Sequence, residues 1–498
     1  MSDPCILAID QGTSGTTCLV VDLEGRVRGR GHADVAVRHP GNGWVEQDAE
    51  DLWVSVCAAA KETVAAAGNA RLVALGVTNQ RETAVVFERR SLRPVAPAIV
   101  WQCRRSAGLC AEHRGRGEEA ELRERTGLVL DPYFTATKLE WLLAADAGLR
   151  SRAARGELCG GTVDTWLLAR LTGGDEPVTD ASNASRTLLY DLEAGDFAAD
   201  LCDAFSVPRA MLAGIRPSAG RLGTTDPASF LGLRLPITGL AGDQQAALFG
   251  HACLQPGMSK NTYGTGSFVL ANAGERVPRT VDGLLSTVAW RIGGQDTFAL
   301  EGSIFVTGAA LTWLRDGLGM ISSAEEAARL FDSVPDANGC VFVPALTGLG
   351  APFWDPHARG AFLGLTAGVT RAHMVRAVVE AMAFRTRDVV EAAEAGGDLV
   401  LGELRVDGGV SSMDGLCQLQ SDLLGIPVRR AAVADVTALG AAMLAAVGED
   451  LAGLPAGVER MTHPGRTFEP RRAGQRPHAE YAAWRAAVDR VRTTPPGD

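Results

Sequence analysis

The sequence predicts an α/β protein of two domains that open in the same way, and three observations carry that expectation. Short apolar, β-branched runs alternate with helical periodicity from the N-terminus to Ala241. The chain begins with an antiparallel meander interrupted by a Gly/Ser/Thr turn, and a similar strand–turn–strand pattern returns after residue 257. Both turns follow an apolar run directly.

In order, Ile6–Asp10 is an apolar strand ending in an acid, Gln11–Thr17 a turn, and Cys18–Asp22 a second strand. Glu24-Gly25 turns the chain into a third strand over Arg26–Val37. Asp48–Ala67 has helical periodicity and Leu72–Thr78 reads as a buried strand. Ile237–Leu240 is another strand, leading into a helix over Gln244–Phe249. The second copy starts with the strand Met258–Tyr263, the turn Gly264-Thr265-Gly266-Ser267 and the strand Phe268–Ala271, followed by strands at Leu284–Arg291 and Thr297–Leu300. Helices are expected at Phe305–Leu314, His373–Ala395, Met413–Leu424 and Val436–Val447, and a strand at Leu404–Val406 runs into Asp407-Gly408-Gly409. The boundary falls within Gly250–Gly257, dividing the chain into residues 1–252 and 253–498. From Pro470 the tail is rich in Arg and Pro, with one short helix and frayed last residues.

Composition narrows the function. The 498 residues carry a net charge of −11, which disfavours nucleic acid and anionic membrane surfaces as partners. Only residues 61, 138 and 260 are lysine, and none follows glycine, so no G-x-x-x-x-G-K-[ST] phosphate loop exists. A V-A-I-K strand of the protein-kinase type is absent as well. The ten cysteines are scattered without a C-x-x-C pair, as expected for reduced thiols in the cytoplasm. No apolar stretch is long enough to insert in a membrane.

Phosphate chemistry therefore needs another cradle. Asp10-Gln11-Gly12-Thr13-Ser14-Gly15 offers backbone N–H groups and hydroxyls in a tight turn, with Asp10 at a strand end able to hold Mg²⁺ through water. Taken alone, the segment reads more readily as an ordinary hairpin turn. Tyr263-Gly264-Thr265-Gly266-Ser267 and Val406-Asp407-Gly408-Gly409 repeat the theme in the second half. Asp243, after a buried strand, fits a general base and, more readily on local grounds, a helix cap. Arg81 and Glu82, adjacent after a strand, can donate to and accept from a polyol, or form a surface ion pair. Trp101, Tyr133 and Phe268 can wall a carbon skeleton, or simply pack in the core.

Together the segments resemble one family. Asn79–Thr83, Trp101–Arg105, Asp131–Phe134, Gly161–Leu167, Asp180–Thr187, Ala241–Gly250, Asn261–Gly266, Gly348–Pro356 and Arg405–Gly409 look like the glycerol kinases, a branch of the FGGY carbohydrate kinases. The resemblance runs from about Ile6 to Ala446. It implies two actin-like (ribonuclease H-like) domains with a cleft between them, Mg²⁺ and ATP, and transfer of phosphate to glycerol to give sn-glycerol 3-phosphate. By match, Arg81, Glu82, Trp101, Tyr133, Asp243, Gln244 and Phe268 surround glycerol, with Asp243 as base. Asp10 serves the metal; Thr13, Ser14, Gly15, Thr265, Gly308, Thr312, Gly409 and Met413 serve the nucleotide. A homo-oligomer, dimer or tetramer, is usual in the family. Three positions depart from its pattern: Thr17 where Arg is usual, Thr312 where Gln is common, and Met413 where Asn is common. Arg371 is a candidate to replace the missing cation. The segment Asp226–Pro236 lacks the loops through which some members are regulated. A kinase for another polyol or ketose, and an actin-like ATPase without an acceptor, are the competing expectations.

Overall fold

The computed structural model describes all residues except 1–2, 175, 280, 397–398, 472–478 and 494–498. The last residues of the tail, expected to fray, lie largely outside that set.

Thirteen strands form the central sheet: β1 (Pro4–Gln11), β2 (Gly15–Asp22), β3 (Val27–Asp34), β4 (Arg71–Asn79), β5 (Ala219–Thr224), β6 (Pro236–Gly242), β7 (Met258–Tyr263), β8 (Ser267–Gly274), β9 (Leu285–Ile292), β10 (Gln295–Ile304), β11 (Glu403–Asp407), β12 (Val428–Ala431) and β13 (Pro464–Phe468). The helices that matter most are α1 (Ala49–Ala66), α2 (Asp243–Gly250), α3 (Arg371–Ala395), α4 (Asp414–Leu424) and α5 (Val436–Gly448).

In the first half β1, β2 and β3 form the expected meander, β4 adds to β1 in parallel, and β6 adds to β4 in parallel. Asp10 pairs with Thr78, and Thr78 with Ala241. Parallel pairing brings the carboxyl ends of all three strands to one edge, so Asp10, Arg81–Glu82 and Asp243 emerge side by side. In the second half β7 pairs antiparallel with β8 and parallel with β11, Thr262 opposite Asp407. The turn after β7 therefore lies beside Gly408-Gly409. A single pair, Ala219 with Ile292, joins the two halves into one continuous sheet.

The second copy is not a simple meander. β10, not β9, lies against β8, and β9 forms the outer strand of a hairpin with β10. The connection from Gly274 to Leu285 is long enough to carry the chain back, so β9 runs parallel to β8 with β10 between them.

Helix α5, late in the sequence, packs on the first half. Gly440 approaches so closely that a Cβ there would sit 1.8 Å from the Ala246 carbonyl oxygen of α2, and Ala441, Ala442 and Ala445 are fully buried. Small residues at that seam let the helix lie flat on β1, β4 and β6. In the tail, the helix Ala479–Val491 buries Tyr481, Trp484 and Val488 against the second half.

Candidate active site

Seven side chains from both halves converge on one cavity of about 50 Å³: Thr13, Arg81, Glu82, Trp101, Tyr133, Asp243 and Phe268. That volume holds a few water-sized groups and no nucleotide. The walls are apolar and the floor is charged. Trp101 and Tyr133 meet edge to face with ring centroids 5.6 Å apart, and the Arg81 guanidinium lies 5.7 Å from the centre of the Phe268 ring. Trp101 Nε1 donates to Thr13 Oγ1 at 2.9 Å, tying the aromatic wall to the first turn.

The floor is a buried lattice of charges. Arg81 Nε lies 3.1 Å from Asp243 Oδ1 and 3.8 Å from Glu82 Oε1. Its Nη1 and Nη2 donate to Glu301 at 2.5 and 3.2 Å. Arg186 donates to Glu82 Oε1 at 2.7 Å and to Glu301 Oε1 at 2.9 Å. Arg81, Glu82, Arg186 and Glu301 are each at most 2 % exposed. Glu301 sits on β10 of the second half, so it aims two arginines of the first half across the boundary. Burial alone would raise the Glu301 carboxyl, but Arg186 and Arg81 more than offset it and hold it at about 2. The opposite balance holds at Glu82, where burial prevails over the neighbouring arginines and raises the carboxyl. Glu82 also has φ +58, a left-handed backbone that a non-glycine residue adopts at a cost of about 1–3 kcal/mol and that clusters at functional sites.

Asp243 is the first residue of α2, and its Oδ1 accepts from the N–H of Gln244 at 2.7 Å; Gly242 occupies the cap position. The carboxylate remains partly exposed, at 28 % of the side chain. Gln244 does not line the cavity. It is buried, and its Oε1 accepts from the Lys260 ammonium of β7. Asp10 stands at the end of β1, where burial, with Asp243 and Asp435 facing it, pushes its carboxyl up to about 8.

The second-half motifs gather into a separate face. The Gly264 carbonyl accepts from Gly308 N at 3.0 Å, and the Thr265 carbonyl from Thr307 and Ala309 N at 2.9 and 3.0 Å. Any Cβ at Gly308 would lie 2.6 Å from the Gly264 oxygen and 3.4 Å from Val410 Cγ2, so the three segments touch. Nothing crowds Gly409, and Thr265 and Thr312 are exposed. Met413 differs: at 3 % exposure it packs in the core of the second half, just ahead of α4, with no side chain on this face. On the first turn, Gly12 N donates to the Gly15 carbonyl at 2.9 Å and Ser14 is exposed. Next to it the Thr17 hydroxyl bonds His32 Nδ1 at 3.0 Å. Arg371, the candidate replacement cation, pairs with Glu326 at 3.2 Å.

Arg186 and Glu301 were not singled out from the sequence. Arg186 lies inside the Asp180–Thr187 segment that helped carry the resemblance, and Glu301 directly follows a strand expected to end at Leu300. An acid continuing an apolar strand was the available signal.

A cavity at a parallel strand edge that holds an aspartate, with Gly/Ser/Thr turns from both halves beside it, fits the class of phosphotransferases. Residues 5–250 match the N-terminal domain, and residues 259–449 the C-terminal domain, of the FGGY family of carbohydrate kinases. A glycerol kinase from Rhodospirillum rubrum is 49% identical over 490 residues, 98% of this chain and 99% of its own. Among solved structures, Plasmodium falciparum glycerol kinase with ADP superposes with a TM-score of 0.92 at 30% identity, covering 98% of both chains. A xyloylose kinase from Brucella ovis superposes with a TM-score of 0.84 at 25% identity, covering 97% of each. The chain belongs to the FGGY family of carbohydrate kinases.

Proposed function

We propose that this chain transfers the γ-phosphoryl group of ATP to a terminal hydroxyl of glycerol, giving sn-glycerol 3-phosphate and ADP. The observation that carries this reading is the small cavity in which Arg81, Glu82 and Asp243 face Trp101, Tyr133 and Phe268. Charged groups on the floor suit three hydroxyls, and aromatic walls suit the carbon chain. The 49% identity to a glycerol kinase over nearly the full length supports the acceptor, and the ADP-bound neighbour supports the nucleotide.

Asp243 accepts the proton of the attacking hydroxyl as its oxygen bonds to the γ-phosphorus and the bond to ADP breaks. Arg81, held by Glu301, orients both the acceptor and Asp243. The aromatic walls exclude water that would otherwise compete as acceptor. Phosphates rest on the turn Gly12–Gly15, and the nucleotide on the face formed by Thr265, Gly308 and Gly409. Mg²⁺ fits the residues present: burial and the facing Asp243 and Asp435 raise the Asp10 carboxyl, a balance a cation would reverse, and Mg²⁺ is commonly bound by one or two carboxylates with water and phosphate oxygens. Asp10, desolvated at the strand edge, would hold it, and the ion would offset phosphate charge during transfer. Domains divided near residue 252 close over the cleft.

Among the described residues no helix is long and apolar enough to cross a membrane. Ten free cysteines, nine of them buried, favour a reducing cytoplasm, and a homo-oligomer is the assembly we infer; size-exclusion with light scattering tests it. A coupled ADP-release assay over a panel of polyols and ketoses tests the acceptor. Glycerol is expected to give the highest kcat/KM, and preference for a pentulose would overturn the assignment.

A further inference from the structure

Two of the three lysines of this arginine-rich chain are fully buried, and one of them touches the acceptor cavity from behind. Lys138 lies one turn into the helix Thr135–Ala145. Its ammonium donates to the backbone carbonyls of Tyr133, Phe134 (3.1 Å) and Glu82 (3.3 Å). Three donors meet three acceptors, so no hydrogen is left over. The Thr135 hydroxyl adds a second bond to the Glu82 carbonyl at 3.2 Å. None of these bonds reaches a carboxylate.

The floor and one wall of the cavity are thereby tied to one nitrogen. Glu82 contributes the left-handed turn at φ +58, and Tyr133 contributes an aromatic wall. A strained backbone persists only where its surroundings hold it, and the carbonyl of this strained residue is the one gripped twice. An arginine cannot replace the ammonium, because a planar fork does not point three donors at one tetrahedral site.

We propose that Lys138 is a positioning residue for the acceptor: its ammonium locks the Glu82 turn to the Tyr133–Phe134 backbone and so sets the cavity to the size of a small polyol. The inference rests on the proposed acceptor site, though not on which polyol fills it. Burial, only partly countered by Glu82, Cys103, Asp131 and Cys110, brings the Lys138 ammonium down to about 7. The titratable groups facing it are Glu82 on its strand-end turn, Asp131 before the helix, and the thiols of Cys103 and Cys110. As pH rises through 7 the amine keeps two of its three donors, and one wall is released.

The test uses the full chain, wild type and Lys138→Met, with glycerol affinity from calorimetry and KM values for glycerol and ATP from pH 6 to 9. Loss of the charged hydrogen bonds is expected to weaken glycerol about tenfold and leave the ATP KM within about twofold. Wild-type glycerol affinity should fall as pH rises through about 7, while Lys138→Met is flat. Equal losses for both substrates, or unchanged glycerol affinity in a folded variant, would overturn the inference. Where Lys138→Met does not fold, the wild-type profile decides: a glycerol KM that is flat while the ATP KM is flat too would refute it. If the polyol panel selects a different acceptor, the proposed function fails on that result, and the selected acceptor replaces glycerol here under the same criteria.

Discussion

Replacing Glu301 by Gln removes one charge from the centre of the buried lattice while keeping the shape of the side chain. In the wild type this carboxylate accepts from Arg81 at 2.5 and 3.2 Å and from Arg186 at 2.9 Å, with no exposure to solvent. Its depression from an ordinary 4.5 to about 2 corresponds to about 3 kcal/mol of stabilisation. An independent figure is similar: breaking a buried ion pair by removing one partner costs about 3–5 kcal/mol. The folded value lies below the unfolded one, so this contribution is complete above pH 4.5 and disappears as pH falls through 2. For a chain of this length the unfolding entropy near the midpoint is about 1 kcal/mol/K, so Tm is expected to fall by about 3 °C. Calorimetric melts at pH 7 and at intervals down to pH 3 measure both effects. The variant should melt lower at neutral pH, and the gap should narrow with acid. A Tm within 1 °C (about 1 kcal/mol) of wild type at pH 7, or a gap independent of pH, would refute the assignment of the lattice as a net stabilising unit.

Asp243→Asn should lower kcat by about 10²–10⁴-fold with glycerol binding within a few-fold, measured by rapid quench and calorimetry. Unchanged turnover sinks the general base. Gly308→Ala drives a methyl to within 2.6 Å of the Gly264 carbonyl oxygen; ADP affinity should drop by about tenfold with the glycerol KM unchanged, and equal ADP binding would show that this face does not carry the nucleotide. Asp10→Asn should raise the Mg²⁺ concentration for half-maximal activity by about tenfold or more, again without changing the glycerol KM. A Mg²⁺ curve superimposable on wild type would remove Asp10 from the metal site.

The parts of the site legible in the sequence were those whose residues sit at strand ends. Asp10 ends an apolar strand and Arg81–Glu82 and Asp243 lie just beyond two others; the resemblance singled them out, and parallel pairing puts them side by side. Glycine-rich turns were legible for the same reason. Met413 was placed with the nucleotide by resemblance, and its apolar side chain is buried in the core ahead of α4. Gln244 was matched to the acceptor, and the structure points it to Lys260. The strand order of the second half is not legible in the sequence, because β8 can take either neighbour and the pairing places β10 between β8 and β9.

Alone, the sequence determined the α/β class and the strand–turn–strand opening through short-range periodicity, while the residues of the proposed acceptor pocket came through the resemblance of motifs spread along the chain. Tertiary structure alone decided what stands behind that pocket. Glu301 reaches Arg81 across 220 positions, Lys138 reaches the Glu82 carbonyl across 56, and α5 returns to cover the first half of the sheet. Such partners leave no local mark, because a buried charge is stabilised by whichever opposite group or carbonyl the fold delivers to it, at any separation along the chain.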